Sequence, residues 1–263
     1  MIELNKIYNE NCLDTMSRMD DNFIDLTVTS PPYDNLRNYN GYEFDFESIA
    51  KELFRVTKVG GVVVWIVGDA TINGSETGTS FKQALYFKEI GFNLHDTMIY
   101  AKNNIVLTHN RYEQAFEYMF VLSKSAAPKT FNPLKIRTLN PGQIKRYNYT
   151  NSNTNNKMCA VRTGLNRISK TNELRYRDNI WFLAGEKNQK EHPAIFPEQL
   201  AEDHIFTWSN KCDLVYDPFT GSGTTAKMSI KLDRNYIGSE ISKEYCDIAD
   251  KRINKELIKI KLF

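Results

Sequence analysis

The sequence lacks long hydrophobic runs and clusters of cysteine. No apolar stretch among its 263 residues approaches the ~20 residues that a membrane-spanning helix needs, and its polar start is unlike a signal peptide. The four cysteines stand singly at positions 12, 159, 212 and 246, with neither the paired spacing of a metal site nor a dense disulfide framework. We therefore expect a soluble, cytoplasmic protein with reduced, structural thiols.

Histidine is scarce as well, and the glycine pattern that marks a dinucleotide site is incomplete. The four histidines, at positions 95, 109, 192 and 204, show no metal-ligand spacing, so we predict no metal site. Residues 215–225 read as a strand, a glycine turn and the start of a helix. They contain only Gly221-x-Gly223, with Thr224 where a further glycine could extend the pattern, and this disfavours NAD as a ligand.

The shape of the glycine turn nevertheless predicts a cofactor loop. Glycines at a strand-to-helix turn let the backbone approach a ligand closely, and free amides at a helix start favour polar or anionic groups. Residues 235–240 read as the next strand, which ends in Glu240, twenty-three residues after Asp217. An acid at about this distance suits the hydroxyls of a ribose.

A second motif lies earlier in the chain, where the apolar-rich run at 23–28 leads into Thr29-Ser30-Pro31-Pro32-Tyr33. Two consecutive prolines fix φ and remove two backbone donors, so the chain must leave any sheet here as a stiff loop with accepting carbonyls. Together, the Ser30 hydroxyl, the rigid carbonyls and the Tyr33 ring have the chemistry to hold a flat, amino-bearing ring such as a nucleobase. For this motif alone, an ordinary Pro-Pro turn is the alternative.

Basic residues are concentrated in one window, residues 128–180. It holds eleven lysines and arginines against two acids, so the rest of the chain carries seven surplus negative charges, given the net charge of +2. Because bases neutralise phosphates and Asn and Arg match base edges, the window is predicted to contact nucleic acid, with a solvated insertion as the alternative. The predicted contact residues are Lys135, Arg137, Lys145, Arg146, Arg162, Arg167, Arg175 and Arg177, together with Arg37 in the loop after the proline motif.

The remaining segments read as alternating helices and strands. The buried strand at 62–67 is continuously hydrophobic, as a strand covered on both faces requires. We predict an α/β fold with a Rossmann-like, doubly wound, mostly parallel sheet, an antiparallel edge hairpin and a small insertion. The predicted strands are 23–28, 62–67, 92–100, 115–122, one near 215 and 235–240, and the predicted helices are 46–58, ended by Gly60-Gly61, then 80–90, 197–206 and 242–260.

The two motifs resemble those of the amino-directed DNA methyltransferases that use S-adenosylmethionine. In that family, a Pro-Pro-Tyr motif that precedes a Phe-x-Gly-x-Gly motif defines the beta class, and this chain has that order at 31–33 and 219–223. Residues 192–197 are similar to the family's segment just ahead of the glycine loop. Residues 10–13 are similar to its adenine-contacting turn, with Asn11 where an acid is often found.

The resemblance implies a set of functional residues and a division of the chain. It divides the chain into a catalytic half at 1–127, a target-recognition insertion at 128–180 and a cofactor-binding half at 181–263. The implied cofactor-binding residues are Asn11, Cys12, Pro197, Asp217, Pro218, Phe219, Gly221, Gly223, Thr224, Thr225 and Glu240. The implied catalytic residues are Ser30, Pro31, Pro32, Tyr33 and Asp69.

The resemblance also implies direct methyl transfer to an exocyclic amine of a flipped base. The amine would donate to the Ser30 hydroxyl and the Pro31 carbonyl, while Tyr33 stacks on the base and Asp69 accepts the Ser30 proton or, alternatively, caps a turn. No cysteine follows a proline, so the nucleophile of enzymes that methylate ring carbon 5 of cytosine is missing. Ser30, rather than Asp or Asn, favours cytosine N4 over adenine N6.

Other readings stay open at this level. An RNA or protein amine methyltransferase could use the same pocket, and an inactive nucleic-acid-binding module or a nucleotide-dependent dehydrogenase are further alternatives. The predicted partner is double-stranded DNA, and no membrane partner is expected. The resemblance leaves a homodimer and a restriction-endonuclease partner open.

Overall fold

The computed structural model describes residues 2–32, 44–102, 112, 114–147, 167–183 and 197–261. The strands are β1 (Lys6–Tyr8), β2 (Ile24–Thr29), β3 (Thr57–Val67), β4 (Thr71–Ile72), β5 (Ser75–Glu76), β6 (Asn93–Lys102), β7 (Phe116–Ser123), β8 (Lys135–Arg137), β9 (Ile144–Tyr147), β10 (Arg167–Lys170), β11 (Leu174–Tyr176), β12 (Ile180–Leu183), β13 (Leu214–Asp217) and β14 (Asn235–Ser239). The helices are α1 (Cys12–Ser17), α2 (Phe46–Val56), α3 (Thr79–Glu89), α4 (Glu198–Trp208), α5 (Thr224–Lys231) and α6 (Lys243–Lys261). None of the helices in these ranges is long and apolar enough to cross a membrane.

Eight strands form one sheet in the order β1-β14-β13-β2-β3-β7-β6-β12. Strand β7 is antiparallel to both of its neighbours, β3 and β6, and the other pairings in this sheet are parallel. The predicted Rossmann-like, mostly parallel sheet is therefore confirmed, and the predicted antiparallel hairpin corresponds to the pair β6 and β7, which lies one strand in from the edge. The sequence did not indicate β12, which pairs outside β6 and forms the edge of the sheet.

Successive side chains of the sheet strands point to opposite faces of the sheet, and a layer of helices covers each face. Val63, Trp65 and Val67 of β3 belong to a core cluster that includes residues of α1, α2 and α3. The Trp65 indole donates a 2.8 Å hydrogen bond to the side-chain amide oxygen of Gln83 in α3. On β14, Ile237 faces that cluster, whereas the preceding Tyr236 packs with residues of α5 and α6. Both faces of the sheet are thus covered, which explains why β3 is continuously hydrophobic.

The boundary between α2 and β3 differs from the prediction. The helix predicted to run to residue 58 ends at Val56, and Gly60 and Gly61 lie inside β3 instead of in a loop. Gly60 has φ +81°, and a Cβ on Gly61 would lie 2.9 Å from the backbone oxygen of Asp25. The two glycines therefore allow a close, irregular start of the strand pairing with β2, where the register shifts.

The chain forms two compact units. One contains residues 1–132 and 179–263, and the second contains residues 133–178. The second unit includes two antiparallel ribbons, β8 with β11 and β9 with β10. The window predicted as an insertion, 128–180, contains this unit. Its flanks belong to the larger one, because Asn132 donates a backbone hydrogen bond to Thr207 and β12 begins at Ile180.

Candidate active site

The two sequence motifs meet at the carboxyl edge of the large sheet. Strands β2 and β13 pair in parallel, with Leu26 opposite Val215 and Thr27 opposite Tyr216, so they end side by side. Beyond these pairs, the Thr29 hydroxyl donates a 2.7 Å hydrogen bond to the Asp217 carboxylate, across 188 residues of sequence. This contact joins the proline loop to the glycine turn.

Asp217 is a buried carboxylate, with 3% of its surface exposed. It also accepts a 3.1 Å hydrogen bond from the Phe219 amide. Burial raises the pKa of Asp217 to about 6, and the hydrogen bonds from Thr29 and Phe219 only partly oppose this effect. The ionised form is therefore costly in the free protein, and a cation placed beside Asp217 would be attracted to it.

Glu240 follows β14 and lies against the same turn. Its carboxylate accepts 2.8 Å hydrogen bonds from the Gly221 amide and from the Ser242 amide. Burial raises the pKa of Glu240. Because β13 and β14 are neighbours, with Asp217 opposite Gly238 in the register, two carboxylates flank the glycine turn from adjacent strand ends.

Glycine is required at two positions around the turn, one at the start of α5 and one in β14. Gly223 has φ +80°, and a Cβ there would lie 2.8 Å from the Ala249 Cβ of α6. A Cβ on Gly238 would lie 2.2 Å from the Thr220 hydroxyl. Gly238 was not among the predicted site residues, although a glycine inside a strand often marks such a close approach.

The helix after the turn begins with two buried threonines. Thr224 is 3% exposed and Thr225 is 1% exposed. The Thr225 hydroxyl donates a 3.2 Å hydrogen bond to the Val28 carbonyl, which is a second tie between α5 and β2. No described side chain caps α5 at Gly223, so the amides of its first turn face the turn itself.

Phe219 and Pro218 connect the turn to the core. The Phe219 ring packs edge-on against Phe44 and Trp65, at centroid distances of 5.6 Å and 6.2 Å. Pro218 is buried and Phe219 is half-buried. The loop is thereby anchored on the side where α2 and α3 pack.

The remaining predicted cofactor residues have clear structural surroundings. The Asn11 side chain accepts a 2.9 Å hydrogen bond from the Leu13 amide and caps α1. Cys12 is 5% exposed, and burial raises its pKa to about 12, so its side chain remains a thiol in the core. Pro197 is buried and immediately precedes α4. Because the Cys12 side chain is buried in the core, a ligand at this position would contact only the backbone of Cys12.

The proline loop leaves β2 at the same edge. Ser30 and Pro32 are half-buried and Pro31 is buried. Tyr33 and Arg37 lie outside the described residues. The described start of the loop is fixed by its neighbour Thr29, whose hydroxyl binds Asp217.

Asp69 lies two residues beyond β3 and is 9% exposed. Its carboxylate accepts hydrogen bonds from the Ser80 amide at 2.9 Å, the Ser80 hydroxyl at 2.5 Å and the Thr77 hydroxyl at 3.4 Å. These donors belong to the first turn of α3 and the segment before it. These contacts tie Asp69 to the start of α3.

A charged network behind the glycine turn was not predicted. Arg252 of α6 donates to the Ser222 carbonyl at 2.7 Å and to the Ser222 hydroxyl at 2.6 Å. Its other terminal nitrogen donates to Glu198 at 2.7 Å, and Lys227 donates to both oxygens of Glu198 at 2.6 Å and 2.8 Å. Burial acts to raise the pKa of Glu198, but the hydrogen bonds from Lys227 and Arg252 prevail and lower it.

In the second unit, the predicted DNA-binding residues are distributed over both ribbons and over both faces of β8–β11. Lys135 pairs with Tyr176 and Arg137 with Leu174, so these four side chains share a face of β8–β11. Arg175 lies on the opposite face and forms an ion pair with Asp178. Arg177 is half-buried. Lys145 and Arg146 lie in β9 and Arg167 lies in β10, whereas Arg162 is outside the described residues.

Sequence comparisons identify relatives over most of the chain. The profile of a DNA methylase family, N6_N4_Mtase, matches residues 24–251. The orphan methyltransferase M.BamHII of Bacillus amyloliquefaciens is 56% identical over 245 residues, which make up 89% of this chain and 90% of that protein. The type II methyltransferase M.BglII of Bacillus subtilis is 25% identical over 259 residues, 94% of this chain and 68% of that protein.

Solved structures share the fold at lower identity. PvuII DNA methyltransferase (cytosine-N4-specific) has a TM-score of 0.69 and 21% identity, covering 97% of this chain and 92% of that chain. The complex of M1.HpyAVI with SAM has a TM-score of 0.64 and 23% identity, covering 95% of this chain and 98% of that one. The family profile and M.BamHII match most of the chain, which therefore belongs to the N6/N4 DNA methylase family and is a DNA amino-methyltransferase that uses S-adenosylmethionine.

Proposed function

We propose that the chain methylates the N4 amine of cytosine at specific sites in double-stranded DNA. The observation that carries the proposal is the hydrogen bond of 2.7 Å between Thr29 and Asp217, which brings the loop of Ser30 and the glycine turn to one edge of the sheet. A methyl donor held at the turn and a base held at the loop would then share one site. Ser30 favours cytosine N4 by its likeness to enzymes with that target.

The described residues around the glycine turn fit S-adenosylmethionine. The carboxylates of Asp217 and Glu240 suit a ligand that carries positive charge and ribose hydroxyls, and the uncapped start of α5 offers amides to its polar groups. We assign the ribose to Glu240 and the methionine part to Asp217 and Pro218. When bound, the cofactor supplies an electrophilic methyl group on a sulfonium.

The proline loop has the task of positioning the amine. An exocyclic amine is a poor nucleophile because its lone pair is delocalised into the ring. Donation of its two hydrogens to the Ser30 hydroxyl and the Pro31 carbonyl favours a pyramidal nitrogen whose lone pair can attack. Such alignment supplies about 7–11 kcal/mol of barrier reduction in well-oriented reactions, so the site needs no strong base.

The proton released from the methylated amine requires a route out of the site. Asp69 holds Ser80 and Thr77, and we propose that it serves α3 and not the reaction. Ser30 is half-buried, and so its hydroxyl can pass the proton to water. The base itself must leave the duplex stack, which costs a few kcal/mol that contacts in the pocket offset.

The second unit is proposed to bind the DNA through one face of the β8–β11 ribbon. Lys135 and Arg137 are exposed there, beside Tyr176, which is 61% exposed. Two cations next to an exposed aromatic ring match a phosphate backbone and an adjacent sugar or base. Arg175, on the other face, is occupied by Asp178 at 2.8 Å, and we assign it a structural role within the unit.

Chromatography of nucleosides identifies the methylated amine. Unmethylated duplex DNA is incubated with the protein and S-adenosylmethionine, then digested to nucleosides. We expect N4-methylcytosine, and a parallel incubation with structured RNA should give little product. N6-methyladenine without N4-methylcytosine would instead establish the adenine alternative, and no methylated nucleoside would favour the inactive binding module.

A further inference from the structure

We propose that Arg252 of α6 is a positioning residue for S-adenosylmethionine, because it fixes the backbone of the glycine turn from behind. One terminal nitrogen donates to the carbonyl and the hydroxyl of Ser222, at 2.7 Å and 2.6 Å, and reaches the Thr224 hydroxyl at 3.3 Å. Arg252 thus contacts the residues on both sides of Gly223. The inference rests on the assignment of residues 217–225 to the cofactor.

Internal hydrogen bonds hold the first part of the turn, from the Thr220 hydroxyl to the Asp217 carbonyl at 3.0 Å and from the Gly223 amide to the Thr220 carbonyl at 2.9 Å, and Arg252 adds a restraint from outside the turn. Gly221 and Gly223 have φ values of +51° and +80°, and glycine reaches many other conformations in the absence of contacts. Gly223 begins α5 with no capping side chain among the described residues. In the peptide that joins Ser222 to Gly223, the amide donates to the Thr220 carbonyl and the carbonyl accepts from Arg252, so Arg252 completes the restraint of this peptide plane.

The charges around Arg252 explain how its contact with Ser222 is maintained. A cation at the start of α5 faces the positive end of the helix dipole, which is unfavourable by itself. Glu198 offsets this charge, because it accepts from Arg252 at 2.7 Å and from Lys227 at 2.6 Å. The planar guanidinium therefore spans two fixed points, Glu198 with one nitrogen and Ser222 with the other, which an ammonium group does not reproduce.

Arg234 offers a matched control, because it lies at the amino ends of the strands, away from the glycine turn. It donates to the hydroxyl and the carbonyl of Ser209 at 3.0 Å and 2.6 Å, in the same way that Arg252 holds Ser222. Arg234 directly precedes β14, so it lies at the amino end of that strand, whereas Glu240 and the glycine turn lie at the carboxyl end. We expect loss of its contacts to lower stability and to leave the cofactor turn intact.

The test compares Arg252→Lys with Arg234→Lys. We expect both to lower the melting temperature of the free protein. Only Arg252→Lys should weaken S-adenosylmethionine binding in calorimetry and raise its KM, by about tenfold, which corresponds to about 1.4 kcal/mol. Its kcat at saturating cofactor should change by less than about twofold, and the amides of residues 221–225 should exchange hydrogen faster without cofactor. Unchanged cofactor affinity and exchange, or equal losses of affinity in both variants, would overturn the inference.

Ser222→Ala tests the same contact without altering the ion pairs. It removes the hydroxyl that Arg252 binds, and we expect the dissociation constant for S-adenosylmethionine to rise by about threefold; an unchanged constant would count against the proposal. Gly223→Ala distinguishes a failure of the positioning role from a failure of the cofactor assignment. If it weakens cofactor binding while Arg252→Lys does not, the positioning role is wrong. If neither variant weakens it, the assignment of the turn itself is wrong.

Discussion

The Thr29 hydroxyl donates a hydrogen bond of 2.7 Å to the Asp217 carboxylate, although the two residues are 188 positions apart in the sequence. Thr29 ends β2 and Asp217 ends β13, and the two strands are parallel neighbours. Each residue immediately precedes one of the two functional loops. Their contact therefore fixes how the proposed base-binding loop lies against the proposed cofactor turn.

Removal of this contact should impair the site more than a neighbouring change of the same chemistry. Thr29→Val leaves the buried Asp217 short of a donor, which typically costs about 1–3 kcal/mol of stability. We also expect weaker binding of S-adenosylmethionine, because the pKa of Asp217 rises further. Thermal melting and calorimetry provide the two measurements.

Thr27→Val is the matched control for that substitution. Thr27 lies on the same strand and is fully buried, and its hydroxyl has no hydrogen-bond partner among the described residues. Its replacement by Val should leave stability unchanged or increase it slightly. Equal losses from Thr29→Val and Thr27→Val would show that the bond to Asp217 has no special role.

Cofactor affinity should depend on pH through Asp217. Its pKa of about 6 leaves the carboxylate largely protonated near about pH 5 and largely ionised near about pH 7. Binding of a cation favours the ionised form, so affinity for S-adenosylmethionine should increase over this interval. Calorimetry at several pH values measures the effect, and Asp217→Asn should remove most of it. A flat profile in the unsubstituted protein would contradict the proposed contact.

The stability of the free protein should respond to Asp217 with the opposite sign. Burial raises the folded pKa above the ordinary value of 3.8, so the folded state binds the proton more tightly than the unfolded state. The contribution of this group to stability therefore falls as the pH rises from about 4 to about 6, and stays low above that. Denaturant titrations of the protein and of Asp217→Asn should diverge in this interval in that direction.

The sequence predicted the regular strands of the sheet, but not the irregular start of β3 or the edge strand β12. The continuous apolar run at 62–67 and the mixed runs on either side were enough to place the main strands and the order of the helices. Gly60 and Gly61 predicted the end of a helix, whereas in the structure they lie in β3, where Gly61 allows a close approach to the backbone of Asp25. Strand β12 was missed, because only Trp181 in it is buried and the rest has little pattern.

Short motifs indicated the residues of the candidate site, whereas contacts between residues far apart in the sequence were not indicated. The loops at Ser30 and Gly221 were evident from local residue types. The hydrogen bond from Arg252 to Glu198 joins side chains 54 positions apart, and no local sequence pattern predicts it. The role of Asp69 could not be predicted from the sequence, because an acid after a buried strand gives the same pattern whether it caps a helix or takes part in a reaction.

Substitution of Gly223 should destabilise the protein more than substitution of a glycine with the same backbone conformation. Gly223→Ala introduces a left-handed alanine and a Cβ at 2.8 Å from Ala249. Gly74 has φ +81°, and a Cβ there would meet no atom within 4 Å. Strain of about 1–2 kcal/mol is common to both, whereas overpacking of about 1–3 kcal/mol is expected at Gly223 alone. Denaturant unfolding of both variants checks this difference, and equal losses would contradict the packing against α6.

Binding of DNA should depend on one face of the second unit. Replacement of Lys135 and Arg137 by Ala should weaken duplex binding and reduce the slope of log affinity against log salt by about 2, because each phosphate contact contributes about 0.9. Arg175→Ala should leave both quantities nearly unchanged. Fluorescence anisotropy over a range of salt concentrations measures them, and calorimetry with S-adenosylmethionine should show intact cofactor binding in both variants. A larger effect of Arg175→Ala would place the interface on the other face.

The most direct test of the account is the comparison of turnover and cofactor binding in Ser30→Ala. The hydroxyl is assigned to the base amine and not to the cofactor, so single-turnover methyl transfer should slow by about a hundredfold, within the range for a transition-state hydrogen bond. The dissociation constant for S-adenosylmethionine should stay within about twofold of the unsubstituted value. Equal losses of transfer rate and cofactor affinity, or an unchanged transfer rate, would contradict a shared site in which the β2 loop holds the base.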